Sequence, residues 1–200
     1  MTPPITLVIP TLDKSRGVAT GKLAQLSAGC KTQLIVVDGP ERGFTKTVNE
    51  GLRRATTGDV CILNDDITRF QHGWLATLRK GLYSRSRYGI AGPSGRSASE
   101  SRGGRVGLRG LKVCQQLSFW CVLIRRQVIE EVGLLNEDYV HYCSDNDYCD
   151  RVRRRKWKIV WVKSVFLEHK HHGSGLRSKW KQQDQHRYRR IRARRKKGRK

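Results

Sequence analysis

Apolar positions in this chain recur with two periods. Ile5 to Ile9 is a short apolar run closed by Pro10, and Gln33 to Val37 is a second, closed by Asp38-Gly39-Pro40. Val60 to Leu63 is a third, and Tyr88 to Ala91 a fourth. Short runs of this kind, with β-branched residues and turn residues at their ends, predict buried strands. Between them the spacing changes. Phe44, Val48, Leu52 and Ala55 share one helical face, and Trp74, Leu75, Leu78 and Leu82 mark a second helix over Gly73 to Tyr83. Leu23 and Leu26 within Gly21 to Gly29 suit a short helix ended by glycine, preceded by a polar loop from Thr11 to Thr20. The order β-α-β-α-β-α-β predicts a parallel sheet with right-handed crossovers.

The second half is less regular. Gly92 to Gly110 is rich in Gly, Ser and Arg and reads as a long loop of the kind that contacts substrates. Val113 to Arg125 returns to apolar character, and Gln127 to Val132 forms a short helix ended by Gly133. Ser144 is placed to cap a further helix, with Asp145 and Asp147 in its first turn, where negative charge is favoured and a low pKa is expected. Capping alone accounts for either aspartate taken singly. Lys158 to Val162 and Val165 to His169 read as two more strands, followed by His169-Lys-His-His-Gly-Ser174. Three histidines in four residues beside glycine suit an anion or a metal better than a lone histidine does.

The predicted sheet aligns its strand ends on one edge: Pro10-Thr11, Asp38 and Asn64-Asp65-Asp66. In open α/β sheets ligands sit outside the carboxyl ends of the strands. Carboxylates buried without partners are costly, so a strand ending in two of them delivers them to a solvent-filled crevice or to a cation. A hard cation such as Mg2+ or Mn2+ takes such oxygen clusters and shares them with substrate phosphates. The alternative for Asn64-Asp65-Asp66 by itself is an Asx turn that caps the next helix.

Charge narrows the partners. The 200 residues carry a formal net charge of +24. Leu176 to Lys200 holds thirteen Lys or Arg against the single acid Asp184, so +12 lies there and +12 on the remainder. Such a field attracts nucleic acid or an anionic membrane surface and says nothing by itself of chemistry. The six cysteines, Cys30, Cys61, Cys114, Cys121, Cys143 and Cys149, lack C-x2-C spacing and read as free thiols of a reducing, cytoplasmic compartment. A zinc site from Cys143, Cys149 and the His169–His172 cluster is a lesser reading. Ile5 to Ile9 does not form a signal-peptide core, and no apolar run approaches 18 residues, so neither a leader nor a membrane span is expected.

Several motifs in this order resemble one family. They are Leu-Val-Ile-Pro-Thr (7–11), Ile-Val-Val-Asp (35–38), Asn49 and Gly51 before Gly58-Asp59, and Leu-Asn-Asp-Asp-Ile (63–67). Gly-Leu-Leu-Asn-Glu (133–137), Ser-Asp-Asn-Asp-Tyr-Cys-Asp-Arg (144–151) and His169 ahead of Gly173-Ser174 continue the series. From about Pro4 to Gly175 the chain resembles family-2 glycosyltransferases of the GT-A fold. The resemblance implies an α/β, Rossmann-like, mostly parallel central sheet flanked by helices, spanning 1–175, with a nucleotide-sugar half (1–92), an acceptor and catalytic half (93–175) and a basic C-terminal tail (176–200). It implies an inverting enzyme using a nucleotide-sugar donor, typically a UDP-sugar, and Mn2+ or Mg2+. Pro10, Thr11, Asp38, Asn64 and Asp65 would bind the donor, with Asp38 on the nucleobase. Asp66 would be the main metal ligand, with His169, or His171 in its place, as the second ligand or a diphosphate contact. Asp145 would be the base, or Asp147 in its place. Three departures stand out: Asn64 replaces the first Asp of Asp-x-Asp, Ser144 replaces the family's Glu beside the base, and Asn136 replaces an Asp.

For the acceptor, basicity on both the fold and the tail favours a polyanion: DNA carrying a hydroxylated pyrimidine, as in phage-type DNA modification, with the base flipped out and the binding steeply salt-dependent. Arg96, Arg102, Arg105 and Arg109 of the long loop, with Trp120, would contact it. An envelope glycan or lipid-linked sugar acceptor, reached by peripheral contact with anionic lipid, is the second reading. A basic nucleic-acid-binding protein without catalysis is the third. The stretch Gln182 to Lys200, with Trp180, Tyr188 and Ile191, reads either as a solubilising tail or as a basic helix with a thin apolar stripe.

Overall fold

A computed structural model describes residues 3–39, 42–56, 58–95, 110–170 and 177–197. The elements run β1 (Ile5–Thr11), α1 (Lys14–Leu26), β2 (Thr32–Asp38), α2 (Gly43–Arg54), β3 (Val60–Leu63), β4 (Ile67–Phe70), α3 (Trp74–Tyr83), β5 (Tyr88–Gly95), β6 (Leu111–Cys114), β7 (Cys121–Ile124), α4 (Arg126–Val132), α5 (Ser144–Arg154), β8 (Lys158–His169) and α6 (Arg177–Lys197). One eight-stranded sheet has the order β2-β1-β3-β7-β5-β8-β4, with β6 also paired to β8. Two apolar clusters cover its faces. One gathers Leu7, Leu63, Trp74, Leu78 and Trp120, the other Val48, Ile62, Val122, Tyr148 and Val152.

The strand-forming runs behave as their composition dictates. Every residue of β1, β3 and β7 is buried, as continuous apolar runs in a two-sided sheet require. β1 pairs in parallel with β2 and β3, which brings Thr11 level with Asp38. The expected parallel series is interrupted where β7 inserts between β3 and β5 and runs antiparallel to both, and β4 and β6 also pair antiparallel with β8, so the central sheet is mixed, with β1–β2, β1–β3 and β5–β8 parallel. The periodicity of Val113 to Arg125 marked an apolar segment but carried no direction, which only pairing supplies.

Three boundaries differ from expectation. Helix α1 starts at Lys14, inside the stretch read as loop, because the Asp13 side chain accepts from Arg16 N–H at 3.1 Å and caps it. Its sheet-facing residues are Gly17, Thr20, Gly21 and Ala24, so the helix packs through small residues rather than an apolar stripe. A Cβ at Gly21 would lie 2.6 Å from the Leu34 side chain, which explains the close approach. The two strands expected over 158–162 and 165–169 form one strand, β8, whose pairing with β5 shifts register between Pro93 and Ser94. β4 was not expected; it pairs antiparallel with β8 and sets Ile67 opposite His169.

The basic C-terminal stretch is helix α6, and it docks. Asp184 is fully buried and accepts from the amides of Val140, His141 and Tyr142 at 2.9–3.2 Å. One turn later Tyr188 donates its hydroxyl to Asp150 at 2.9 Å, and near the end Arg195 meets Asp147 at 2.6 Å. Arg187 also donates to Asp138 O, so the inward face uses its few non-basic residues and two arginines. Lys181, Arg189, Arg190, Arg192 and Arg194 stay exposed.

Candidate functional site

The ends of β1 and β3, the start of α1 and the start of α2 enclose a cleft of about 450 Å³. Pro10, Thr11, Arg16, Phe44, Asn64, Asp65, Asp66 and His141 are among its lining residues. Its position outside the carboxyl ends of parallel strands follows from β1 and β3 running side by side. Asp38, exposed at the end of β2, stands at the rim beside Gly39, whose amide donates to Thr11 O at 3.1 Å. A Cβ on Gly39 would fall 2.3 Å from the Thr47 hydroxyl, so the wall there closes only around glycine.

The three residues after β3 take different tasks. Asn64 donates its amide to Trp120 O at 2.7 Å, which pins the strand end to the turn before β7. Asp65 is consumed locally. Its Oδ2 accepts from the Thr11 hydroxyl at 2.5 Å and from Arg16 Nε at 3.0 Å, and Thr20 donates to its backbone oxygen. Asp65 therefore holds Arg16 at the cleft, and Arg16 is a cleft cation that sequence periodicity missed because its helix was read as loop. Asp66 turns the other way. Its Oδ1 lies 2.7 Å from His169 Nε2, and its backbone oxygen accepts from Lys170 N–H at 3.0 Å. The β4–β8 register produces this meeting. The His169 ring stacks on Trp120 at 4.9 Å and 12°.

A divalent cation fits this corner chemically. Asp66 lines the cleft with the buried His169 imidazole 2.7 Å behind its Oδ1, and a site with one or two protein ligands leaves the remaining positions to phosphate oxygens and water. Among the described residues no group of three or more His, Cys, Asp and Glu side chains is placed to hold a metal ion. His171 lies outside the described residues. Of the zinc candidates, Cys149 and His169 do not meet: Cys149 is packed in the cluster with Tyr148 and Val152, whereas His169 stacks on Trp120 of the other cluster.

Helix α5 separates its two aspartates. The cap position is held by Cys143 at φ 62°, not by Ser144, which is buried in the first turn. Asp147 is fully buried between Arg151 at 3.0 Å and Arg195 at 2.6 Å. Two guanidiniums saturate it, and Arg151 continues to the carbonyls of Val132 and Leu134, so Asp147 is a structural anchor rather than a proton acceptor. Asp145 is only half-buried, and the causes acting on its carboxyl are burial and backbone N–H groups. Its carboxyl is raised above the ordinary range, not lowered as its place in the first helical turn suggested. Desolvation outweighs the N–H groups of Asn146 and Phe119 that favour the charged form. The Asp145 carboxyl accepts from the N–H of Phe119, the residue before Trp120, and is not part of the cleft lining.

Other expected residues are placed as follows. Trp120 is 5% exposed and forms the floor under His169, so it is unavailable as a surface contact for a polyanion. Arg96, Arg102, Arg105 and Arg109 lie outside the described residues. Asn49 is fully buried and exchanges bonds with Leu135 N–H and O at 2.9 Å, which ties Gly133–Glu137 to α2. His141, which no spacing flagged, enters the cleft from the turn before α5.

No protein-family model matches the chain. The fold is, however, shared with solved structures. A mannosyltransferase from Pyrobaculum calidifontis in complex with GDP-Man and Mn2+ superposes with a TM-score of 0.64 over 86% of this chain and 59% of its own, at 15% identity. The chain has the GT-A glycosyltransferase fold. Glucosyl-3-phosphoglycerate synthase from Mycobacterium tuberculosis, in complex with Mg2+ and UDP, shares this GT-A fold at a TM-score of 0.58 over 85% of this chain and 72% of its own, at 14% identity. In sequence, the N-acetylglucosaminyl-diphospho-decaprenol L-rhamnosyltransferase of Mycobacterium tuberculosis is 40% identical over 60 residues. That match spans 30% of this chain and 20% of the relative's length.

Proposed function

We propose that this protein is an inverting, metal-dependent glycosyltransferase that moves a sugar from a nucleotide-sugar, with UDP as the favoured nucleotide, to a hydroxyl on an anionic acceptor. The observation that carries the reading is the Asp66–His169 pair at the end of a strand-end cleft. Mn2+ or Mg2+ bound there would stabilise the charge that the leaving nucleoside diphosphate gains as its glycosidic bond breaks. Asp66 and His169 would hold that ion, and Arg16, kept in place by Asp65, adds a fixed positive charge at the cleft. Asp145 takes the proton of the attacking hydroxyl. Its raised pKa increases its basicity toward that proton, and single displacement inverts the anomeric centre.

Asp145→Asn tests that assignment on two scales. A carboxyl whose folded pKa is raised favours folding below its unfolded pKa, and that contribution is lost as pH rises through the folded value. At pH 7 the variant is therefore expected to unfold at a higher temperature than the parent, with the difference closing as pH falls into the ordinary carboxyl range. Transfer is expected to fall by about 10²–10⁴, the usual worth of a positioned base. An Asp145→Asn that transfers sugar as the parent does removes Asp145 from the mechanism.

For the acceptor, a glycan on a lipid diphosphate comes first, supported by the resemblance to a transferase named for a diphospho-decaprenol acceptor. No helix among the described residues is long and apolar enough to cross a membrane, so contact with such a surface would run through the exposed cations of α6. Hydroxylated DNA is the second reading. Lys181, Arg189, Arg190, Arg192 and Arg194 face outward with no large apolar residue exposed on that helix, a surface suited to phosphates rather than to insertion among acyl chains. Incubation with labelled UDP-sugars and Mn2+, offering a polyprenyl-diphosphate glycan in one arm and hydroxymethylated DNA in the other, separates the two. Label in the lipid arm alone is the expected result. Label in DNA alone reverses the order, and failure of the protein to bind or hydrolyse any nucleotide-sugar leaves a non-enzymatic nucleic-acid-binding protein.

A further inference from the structure

Asp184 is the single acid among the last 25 residues, and it is fully buried. A buried carboxylate is tolerated only when its oxygens are satisfied. Here the partners are three consecutive amides. Val140 N–H reaches both oxygens at 3.1 and 3.2 Å, and the amides of His141 and Tyr142 each donate to Oδ2 at 2.9 Å. Successive N–H groups converging on one anion form a rigid concave turn. The turn is also fastened from its other side: Val140 O accepts from Thr45 N–H at 3.1 Å. Gly43, at φ +75°, leaves room for it, since a Cβ there would lie 2.6 Å from the Val140 side chain.

This turn carries His141 into the donor cleft. Its Nδ1 accepts from Phe44 N–H at 3.4 Å, which leaves Nε2 to carry the proton of the neutral ring. Burial lowers the His141 pKa, against the opposing pull of Asp184, and so favours that neutral form. The ring then offers one N–H donor within a cleft whose other lining groups include Arg16 and Asn64.

We propose that Asp184 is a positioning residue: by binding the 140–142 amides it sets the His141 imidazole in the cleft wall, where His141 donates to the nucleoside diphosphate of the donor. The inference rests on the donor reading given above. It makes α6 part of the donor site although none of its residues lines the cleft.

The test uses the full chain and UDP with Mn2+ as the probe, with calorimetric affinities and amide hydrogen exchange. Three variants are compared: Asp184→Asn, His141→Ala and Tyr188→Phe. Tyr188→Phe removes the α6 bond to Asp150 and leaves the 140–142 turn intact. Asp184→Asn is expected to speed exchange at Val140, His141 and Tyr142 and to weaken UDP binding about tenfold, the worth of one well-placed hydrogen bond. His141→Ala is expected to match that loss of affinity without the exchange effect, and the double variant to lose no more than either single one. Tyr188→Phe is expected to bind UDP as the parent does, even where it lowers the melting temperature. The proposal is overturned if His141→Ala binds UDP like the parent, a result that does not depend on how well Asp184→Asn folds. It is also overturned if Tyr188→Phe and Asp184→Asn weaken UDP equally, which would make α6 a general brace. A parent protein that binds neither UDP nor GDP with Mn2+ defeats the donor reading itself, and the inference with it.

Discussion

Asp66→Ala is expected to lose Mn2+-dependent binding of UDP and all measurable sugar transfer while keeping the fold. Asp66 is the carboxylate of the strand-end cluster that faces His169, at 2.7 Å, whereas Asp65 is spent on Thr11 and Arg16. With Asn64 in place of a first aspartate, no second acidic side chain of that cluster can substitute. Removing even an outer partner of a metal ligand costs about 10–100-fold in metal affinity, and a direct ligand costs more. The β4–β8 pairing and the Trp120–His169 stack do not need the carboxylate, so the fold should persist, with a lowered melting temperature because the buried His169 loses its 2.7 Å partner. Calorimetric titration of Mn2+ in the presence of UDP reads the first loss, and UDP release from a UDP-sugar reads the second. Asp65→Ala separates the roles: it should leave metal binding measurable and weaken donor binding through Arg16. Retention by Asp66→Ala of UDP–Mn2+ affinity within about threefold of the parent would place the cation elsewhere.

Ending the chain at residue 176 is expected to disable the protein rather than trim a solubilising tail. The cut removes the Asp184 carboxylate from three amides, Arg195 from Asp147 and Tyr188 from Asp150. Asp147 is fully buried, so losing one of its two guanidiniums leaves a carboxylate only partly compensated. Breaking a buried ion pair from one side costs about 3–5 kcal/mol, and the Arg151 contact that remains should moderate this. Each buried amide without a partner adds about 1–3 kcal/mol. Against a typical domain stability of about 5–15 kcal/mol, the truncated chain should be largely unfolded or molten near 37 °C. Thermal unfolding with near-ultraviolet circular dichroism checks this. A cooperative transition within about 3 °C of the parent would show that α6 contributes little, since 1 kcal/mol moves such a domain by about 2–4 °C. Replacing the outward Lys181, Arg189, Arg190, Arg192 and Arg194 by Gln is the contrasting change: it removes charge from the exposed face and leaves every named anchor in place.

Several of the decisive residues were readable before any coordinates. The runs at Ile5, Gln33 and Val60 become β1, β2 and β3, and the strand ends Thr11 and Asn64-Asp65-Asp66 meet in one cleft with Asp38 at its rim. Local periodicity carries this much because it encodes both the element and the end at which its polar residues emerge. It failed where packing uses small residues. α1 buries Gly17, Thr20 and Gly21, which leave no apolar stripe, and Arg16 was lost with it. It also misjudged the Asp145 carboxyl, because position in the first turn of a helix says nothing of how much protein surrounds the side chain.

What the chain determined by itself is the alternation of strands and helices up to β3, the alignment of carboxylates along one sheet edge, and an excess of positive charge at the C-terminus. What only the tertiary structure decided is which of those groups meet. His169 stands beside Asp66 because β4 pairs with β8 in one particular register. Asp147 is an anchor and Asp145 a candidate base because α6 returns across α5 and supplies Arg195 to one of them. Trp120 is a floor and not a surface because β7 runs through the middle of the sheet. Pairing register and helix docking join residues far apart in the chain, and their free energy comes from burial and hydrogen bonds that no local spacing records.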